Sequence, residues 1–306
     1  MSRAVGLLLG YAADRVFADP RRGHPVAGFG ALAARLERHT WRDDRAAGVV
    51  HVAALVGGAV VVGRAADRPR SPLARTLVTA VATWAVLGGT SLEREVTTIE
   101  RQLREGRLDD ARRQLTHLVG RDPTGLDEAE VVRATVESLA ENTSDAVVSS
   151  LVWGALAGVP GLLGHRAANT LDAMVGHRTP RHERFGWAAA RLDDLLNLPG
   201  SRLTAALATT LGPDRRGALA ARRRDAPHHP SPNAGPVEAA YAGALGIRLG
   251  GTNTYGDRVE HRAVMGTGRP PTVADLSRAV ALTRRLDAAA LLVTAATASR
   301  VPRRRR

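Results

Sequence analysis

Three runs without a formally charged side chain constrain this chain more than anything else in it. They are Ala46–Gly63 (AAGVVHVAALVGGAVVVG), Thr76–Leu92 (TLVTAVATWAVLGGTSL) and Ala146–Gly164 (AVVSSLVWGALAGVPGLLG). Each is close to the roughly 20 helical residues that cross a bilayer. All contain glycine, which is frequent where membrane helices pack closely. A helix buried in a soluble protein passes the same length test, and Pro160 interrupts the third run. The first two runs flank an arginine-rich loop, 64–75, and read together as a membrane hairpin over 46–92. Shorter apolar runs at 203–212 and 288–298 read as core or re-entrant helices, and Ala4–Ala13 as a retained N-terminal helix with no convincing cleavage site after it.

Residues 93–145 change character. Acids outnumber arginines there, and apolar residues recur with helical period. SLEREVTTIERQLREG predicts a helix capped by Ser91 and stopped by Gly106. RLDDARRQLTHLVG predicts a second, and the stretch after Pro123 a third with Thr124 as its cap. Neither an alternating strand pattern nor an internal repeat is visible. The fold class expected is therefore all-α: a multi-pass membrane helical protein with a soluble helical subdomain. One domain spans 1–306, with the hairpin at 46–92, the helical insert at 93–145, a third apolar segment and the main motif region at 146–258, and C-terminal helices with a basic tail at 259–306.

Composition removes several chemistries. No cysteine means no disulfide, thiolate nucleophile or Cys-ligated metal. All 43 basic residues are arginine, so lysine Schiff bases and a P-loop lysine are excluded too. Phosphate would be held by arginine, backbone amides or a metal. A net charge of +13 suits an anionic substrate or lipid surface. With aromatics at 3%, the stacking platforms of nucleic-acid readers are missing, and no nucleic-acid partner is expected. The RVPRRRR tail reads as a solvated or lipid-facing end.

Four stretches concentrate polar chemistry. ESLAENTSDA (137–146) places Glu137, Glu141 and Asp145 four apart, on one face if the helix is continuous. Three like charges there repel, and a hard divalent cation such as magnesium would relieve them. An ordinary solvated face is the commoner meaning of such a triplet. NTLDAMVGHRTPRHERFGWAAARLDDLLNLPGSR (169–202) gathers Asn169, Asp172, Arg178, Arg181, Arg191, Asp193 and Asp194 into one window. Simple i,i+3 salt bridges compete with a magnesium-phosphate site there. HHPSPNAGPVEAAYAGALGIRLGGTNTYGDR (228–258) holds two glycine-containing loops, with Asn233 and Asn253, that could admit a phosphate or an amide-rich ligand to backbone N–H groups. DRVFADPRRGHPV (14–26) sets His24 among charges in a proline-bounded loop.

In this order, DPRRGHPV, ESLAENTSDA, NTLDAMVGHRTPRHERFGWAAARLDDLLN, SPNAGPVEAAYAGALGIRLGG and TNTY resemble the CobD/CbiB family of cobalamin biosynthesis, the adenosylcobinamide-phosphate synthases. The resemblance runs from Asp19 to about Tyr255. The family commonly has glycine where this chain has Ala18, before Asp19-Pro20, and tyrosine where His177 stands. The resemblance implies a multi-pass enzyme of the cell (inner) membrane. It would join adenosylcobyric acid to (R)-1-aminopropan-2-ol or its O-phosphate through an amide bond, as a ligase using ATP and magnesium. Its partners would be the corrinoid, the amine, membrane lipid and other corrin-pathway enzymes. On this basis Glu137, Glu141 and Asp145 are expected to hold magnesium, assisted by Asp193 or Asp194. Arg178, Arg181 and Arg191 are expected on phosphate, and His24 or Asp172 as base. Asn169 is expected at the substrate, with Asn233 and Asn253 facing the corrin rim. The competing reading is a membrane transporter of a corrinoid or another anion.

Overall fold

The computed structural model describes residues 1–20, 23–68, 71–120, 122–177, 179–255 and 258–300, without the side chains of 252–262. Helix accounts for 77% of the residues, so the all-α expectation holds. The chain forms two compact units, Met1–Gly89, Asp145–Gly200 and Leu291–Arg306 in one, Thr90–Ser144 and Ser201–Ala290 in the other. Of the predicted insert at 93–145, all but Asp145 falls in the second unit, which also takes in Ser201–Ala290.

In unit 1, α1 (Ser2–Phe17) packs along α4 (Pro72–Val86), and α3 (Arg45–Ala66) along α9 (Val159–Val175). α2 (Pro25–Thr40) lies against both α3 and α9. Gly6 and Gly10, one turn apart on α1, permit the first contact: a Cβ on either would collide with Thr79 or Thr83 of α4. This is the small-residue spacing that brings membrane helices close. One core gathers around Leu7, Leu87, Leu151 and Leu162, another around Leu55, Leu171 and Phe185.

Two helical stretches are long and apolar enough to cross a membrane, Arg45–Ala66 and Pro72–Arg104 among the described residues. The second is interrupted at Leu87–Gly88, before α5 (Gly89–Arg104). The third apolar run is not one helix. α8 (Ser149–Ala157) ends at Gly158, whose φ of +71° suits glycine, and α9 restarts at Val159 with Pro160 in its first turn.

Unit 2 is built on α5, α6 (Leu108–Leu115), α7 (Glu128–Asn142), α11 (Arg215–Arg224) and α12 (Ala234–Leu245). One end each of α10 (Trp187–Leu211) and α13 (Val273–Arg300) completes it. Its core includes Ile99, Leu115, Leu139, Tyr241 and Ile247. Two expected caps are displaced. α5 starts before Ser91, and α7 is capped by Asp127 rather than Thr124. Asp127 accepts from the Glu130 N–H at 2.8 Å while the Glu130 side chain takes the Asp127 N–H at 2.9 Å, a reciprocal capping box. Thr124 instead bonds the Asp122 carboxylate.

The sequence carries no strand signal, yet β1 (Leu249–Tyr255) and β2 (Arg258–Met265) pair as an antiparallel ribbon. Leu249 faces Met265 and Gly251 faces Arg262, so the register shifts by a bulge at Gly250. Gly250 and Gly251 have φ of +76° and +93°, which is why a glycine pair here reads as a loop. Two side chains of α7 hold the bulged peptide: Glu137 accepts the Gly250 N–H at 2.7 Å, and Arg133 donates to the Gly250 carbonyl.

Candidate functional site

Within unit 1, α9 and α10 bring together much of the polar window at 169–202. His165, Asn169 and Asp172 share a face of α9 by their i, i+4, i+7 spacing. Asp193 and Asn197 stand one turn apart on α10. Asn197 Nδ2 donates to Asp193 Oδ2 at 2.8 Å, which leaves its Oδ1 as acceptor for His165 Nε2 at 2.9 Å. His165 therefore carries its proton on Nε2, and Nδ1 receives the Ser150 hydroxyl at 3.2 Å. Burial lowers the His165 pKa to about 4, so the ring is neutral and fixed in that tautomer. Asn169 Nδ2 approaches Asp193 Oδ1 at 3.4 Å.

The carboxyls of this cluster resist ionisation. Burial first, and then the neighbouring Asp172, push Asp193 up to about 7, although Asn169 and Asn197 both donate to it. Burial also raises Asp172, with Asp194 adding to the effect and His177 opposing it. Asp194 is raised by burial and partly offset by Arg191. Clustered carboxyls whose pKa values are raised by burial and by one another mark sites that exchange a proton or wait for a cation.

Sequence reasoning does not single out Arg166, and the structure makes it central. Burial lowers its pKa, while the carboxylates of Asp19, Asp145 and Asp193 act together to hold its charge. Its Nε is buried with no hydrogen-bond partner among the described residues. The readable signal is one arginine directly after 19 residues without charge and a histidine. Arg166 and Thr170 also border an apolar groove between α2, α3, α4 and α9, lined by Phe29, Leu55 and Val86 among others.

The remaining expected residues divide. His24 caps α2: its Nδ1 accepts the Val26 N–H at 3.1 Å, so Nε2 bears the proton and donates to Asp19 at 3.1 Å. Neither ring nitrogen then presents a lone pair to a substrate. Arg181 is held by Glu37, at 2.9 Å from NH2 to Oε1, and stacks on Trp41 with 4.6 Å from its guanidinium carbon to the ring centre. His182 approaches the same Glu37 oxygen at 3.2 Å. Arg191 makes an exposed i,i+3 pair with Asp194 at 3.6 Å. Arg178 lies outside the described residues, as does the side chain of Asn253. Asn233 is buried in unit 2, where its Oδ1 accepts from the Ser201 hydroxyl at 2.9 Å.

The three expected metal carboxylates do not form one helical face. α7 ends at Asn142, and a π-helical turn, Thr143–Val148, breaks the four-residue period between Glu141 and Asp145. Glu137 and Glu141 belong to unit 2 and Asp145 to unit 1. Glu137 is engaged with the Gly250 amide. Among the described residues, no group of three or more His, Cys, Asp or Glu side chains is placed to hold a metal ion.

A family described as CobD/Cbib protein matches residues 7–283. The chain belongs to this family. It is similar to the Cobalamin biosynthesis protein CobD of Mycobacterium tuberculosis (strain CDC 1551 / Oshkosh), 53% identical over 95% of each chain. The protein of the same name from Rhodobacter capsulatus is 45% identical, over 89% of this chain and 88% of its own. That of Chromobacterium violaceum is 40% identical over 93% of each. No solved structure gives a significant match. Membership ties this CobD/CbiB chain to cobalamin biosynthesis, the role those relatives carry in their names.

Proposed function

We propose that the protein ligates adenosylcobyric acid to (R)-1-aminopropan-2-ol or its O-phosphate, at the expense of ATP, giving adenosylcobinamide or its phosphate. A carboxylate and an ammonium ion at neutral pH form a salt rather than an amide. Transfer of the ATP γ-phosphoryl group to the corrinoid carboxylate would give an acyl phosphate and ADP. The amine then attacks the acyl carbon, the carbon–oxygen bond to phosphate breaks, and inorganic phosphate and a proton leave. Magnesium entering on the nucleotide would neutralise phosphate charge as the phosphoryl group moves.

The observation that carries this reading is the buried Asp193 carboxyl, hydrogen-bonded by Asn169 and Asn197, with Asn197 held in turn by His165; burial raises its pKa toward the operating pH. A base matched to the operating pH is suited to take the proton the ammonium must lose. This moves the base from His24 or Asp172 to Asp193, because His24 has both nitrogens engaged.

A multi-pass placement in the cell membrane belongs to the same proposal. It is supported by the apolar surface of unit 1, where Val49, Val50, Val61 and Val62 on α3 and Leu73, Leu77 and Val81 on α4 are exposed. Soluble monomers rarely leave so large an apolar surface uncovered.

The test is the detergent-purified protein with adenosylcobyric acid, Mg-ATP and aminopropanol phosphate, read by mass spectrometry. The expected result is a corrinoid that gains the amine with loss of one water, dependent on ATP. Folded protein giving no product with either form of the amine, but corrinoid flux in proteoliposomes, would replace ligation by transport.

A further inference from the structure

Unit 2 carries a pair of arginines that no carboxylate neutralises among the described residues. Arg202 stands on α10 and Arg222 on α11. Arg222 NH1 reaches Thr209 Oγ1 at 3.1 Å and the Ala205 carbonyl at 3.4 Å, both on α10. Ala205 is less than one turn from Arg202, so the two guanidinium groups are brought onto one stretch of helix. Arg202 NH1 donates to the Pro232 carbonyl at 2.8 Å and to Ser201 Oγ at 2.9 Å. Every one of these partners is a neutral oxygen. Other arginines of unit 2, such as Arg224 on Asp225 and Arg269 on Asp275, do find carboxylates. Burial lowers the Arg222 pKa, and repulsion from Arg202 lowers it further, with no attraction offsetting either.

Two cations held together by neutral acceptors keep most of their N–H donors for a ligand. Their planar forks suit an oxyanion with several oxygens. The Ser231-Pro232-Asn233 turn is tied beside Arg202 by the Ser201–Asn233 and Arg202–Pro232 bonds. Arg215, Arg216 and Arg223, exposed on α11, add a positive field around it. We propose that Arg202 and Arg222 form a binding site for a soluble phosphate group, of the phosphomonoester or polyphosphate class. The site takes the dianion between the two guanidinium groups and relieves their repulsion. It is independent of the role given above to the Asp193 cluster.

Pyrophosphate titrated calorimetrically into the full-length protein in detergent tests this directly. Arg222→Gln and Arg202→Gln are each expected to weaken binding by about tenfold or more, the scale of one charge-assisted hydrogen bond. Arg223→Gln, an exposed cation of the same helix, is expected to leave affinity within about twofold. A two-cation site further predicts that pyrophosphate raises the thermal midpoint of the wild type by more than that of Arg202→Gln at every concentration. Equal losses in all three variants would reduce the effect to diffuse charge and overturn the proposal. Wild-type protein that ignores pyrophosphate but binds phosphatidylglycerol nanodiscs through Arg222 would also overturn it, because the anion would then be a lipid headgroup. Should Arg222→Gln not fold, the exposed Arg202 variant decides alone.

Discussion

Ala18 shows how a single residue can be read from both directions. It sits at φ +54°, ψ −159°, a region that only glycine occupies at no cost, and resemblance already marked it as a position where the family has glycine. Its N–H bonds Asp14 at 2.8 Å and its carbonyl accepts from Trp84 at 3.0 Å, so the backbone is held there in spite of the Cβ. Ala18→Gly is expected to raise stability by about 1 kcal/mol, relief of strain exceeding the added chain entropy of the unfolded state. A thermal midpoint that falls would show the buried methyl to matter more than the strain. Asp193 gives the second prediction at this scale. Its pKa of about 7 means that the basic form gains population as pH rises through neutrality, so amide formation should rise over the same range. Asp193→Asn should lower the rate by about a hundredfold or more and flatten that profile. The stability sign is opposite. A raised carboxyl favours the folded state while protonated, and that contribution fades as pH rises from about 4 through about 7. The Asn variant should therefore equal or exceed wild-type stability at pH 8. Asp172, Asp193 and Asp194 were legible because they crowd one window of sequence. Arg166 was not, because its importance comes in large part from Asp19 and Asp145, which lie far away along the chain.

At the scale of elements, what the sequence announces is local and what it hides is contact. The 3.6-residue period and Gly106 were enough to find α5, and the acidic first turn of α6 was equally plain. The π-helical turn at Thr143–Val148 has no such signature, and the glycine pair of the ribbon reads as a loop until the Glu137 and Arg133 contacts are known. Side chains at element ends give testable energetics. Asp275, in the first turn of α13, is buried, which alone would raise its pKa. Arg269, the Thr272 amide and Arg278 outweigh burial and bring it down to about 2. A depressed carboxylate contributes stability above its unfolded pKa of about 4 and loses it as pH falls toward about 2. Asp275→Asn should cost about 2 kcal/mol at pH 7, and its midpoint should converge on that of the wild type only below about pH 2. Convergence at no pH would show that the loss is steric. On α1, Gly10→Val should destabilise by about 2 kcal/mol or more, since its side chain would enter the space of Thr83. The neighbouring exposed Leu9 should tolerate Val with about 0.5 kcal/mol or less.

For the whole molecule the question is which solvent surrounds unit 1, and α3 gives the sharpest test of it. The three charge-free runs were visible at once, but only the first survives as one uninterrupted helix of spanning length. Gly158 splits the third, and Leu87–Gly88 ends the apolar part of the second. Hydropathy along a sequence records composition, whereas a span also needs backbone continuity and an outward face without polar groups. α3 meets both requirements: His51 and Leu55 point inward, while Val50, Ala53, Val61 and Val62 point out. Ala53 lies near its middle, and its side chain meets whatever solvent is there. In water, Ala53→Asp changes an exposed helical position and should cost less than about 1 kcal/mol, with the protein recovered as before. In a bilayer the same carboxylate sits at hydrocarbon depth and costs about 3 kcal/mol, and it should reduce membrane-integrated protein severalfold. Leu219→Asp, at an exposed apolar position of α11 in unit 2, is the matched comparison and should leave yield unchanged. Loss of membrane-fraction protein for Ala53→Asp alone would place α3 in lipid. Equal recovery of both variants from a detergent-free soluble fraction would return α3 to an ordinary exposed helix, and the apolar face of unit 1 would then call for a protein partner.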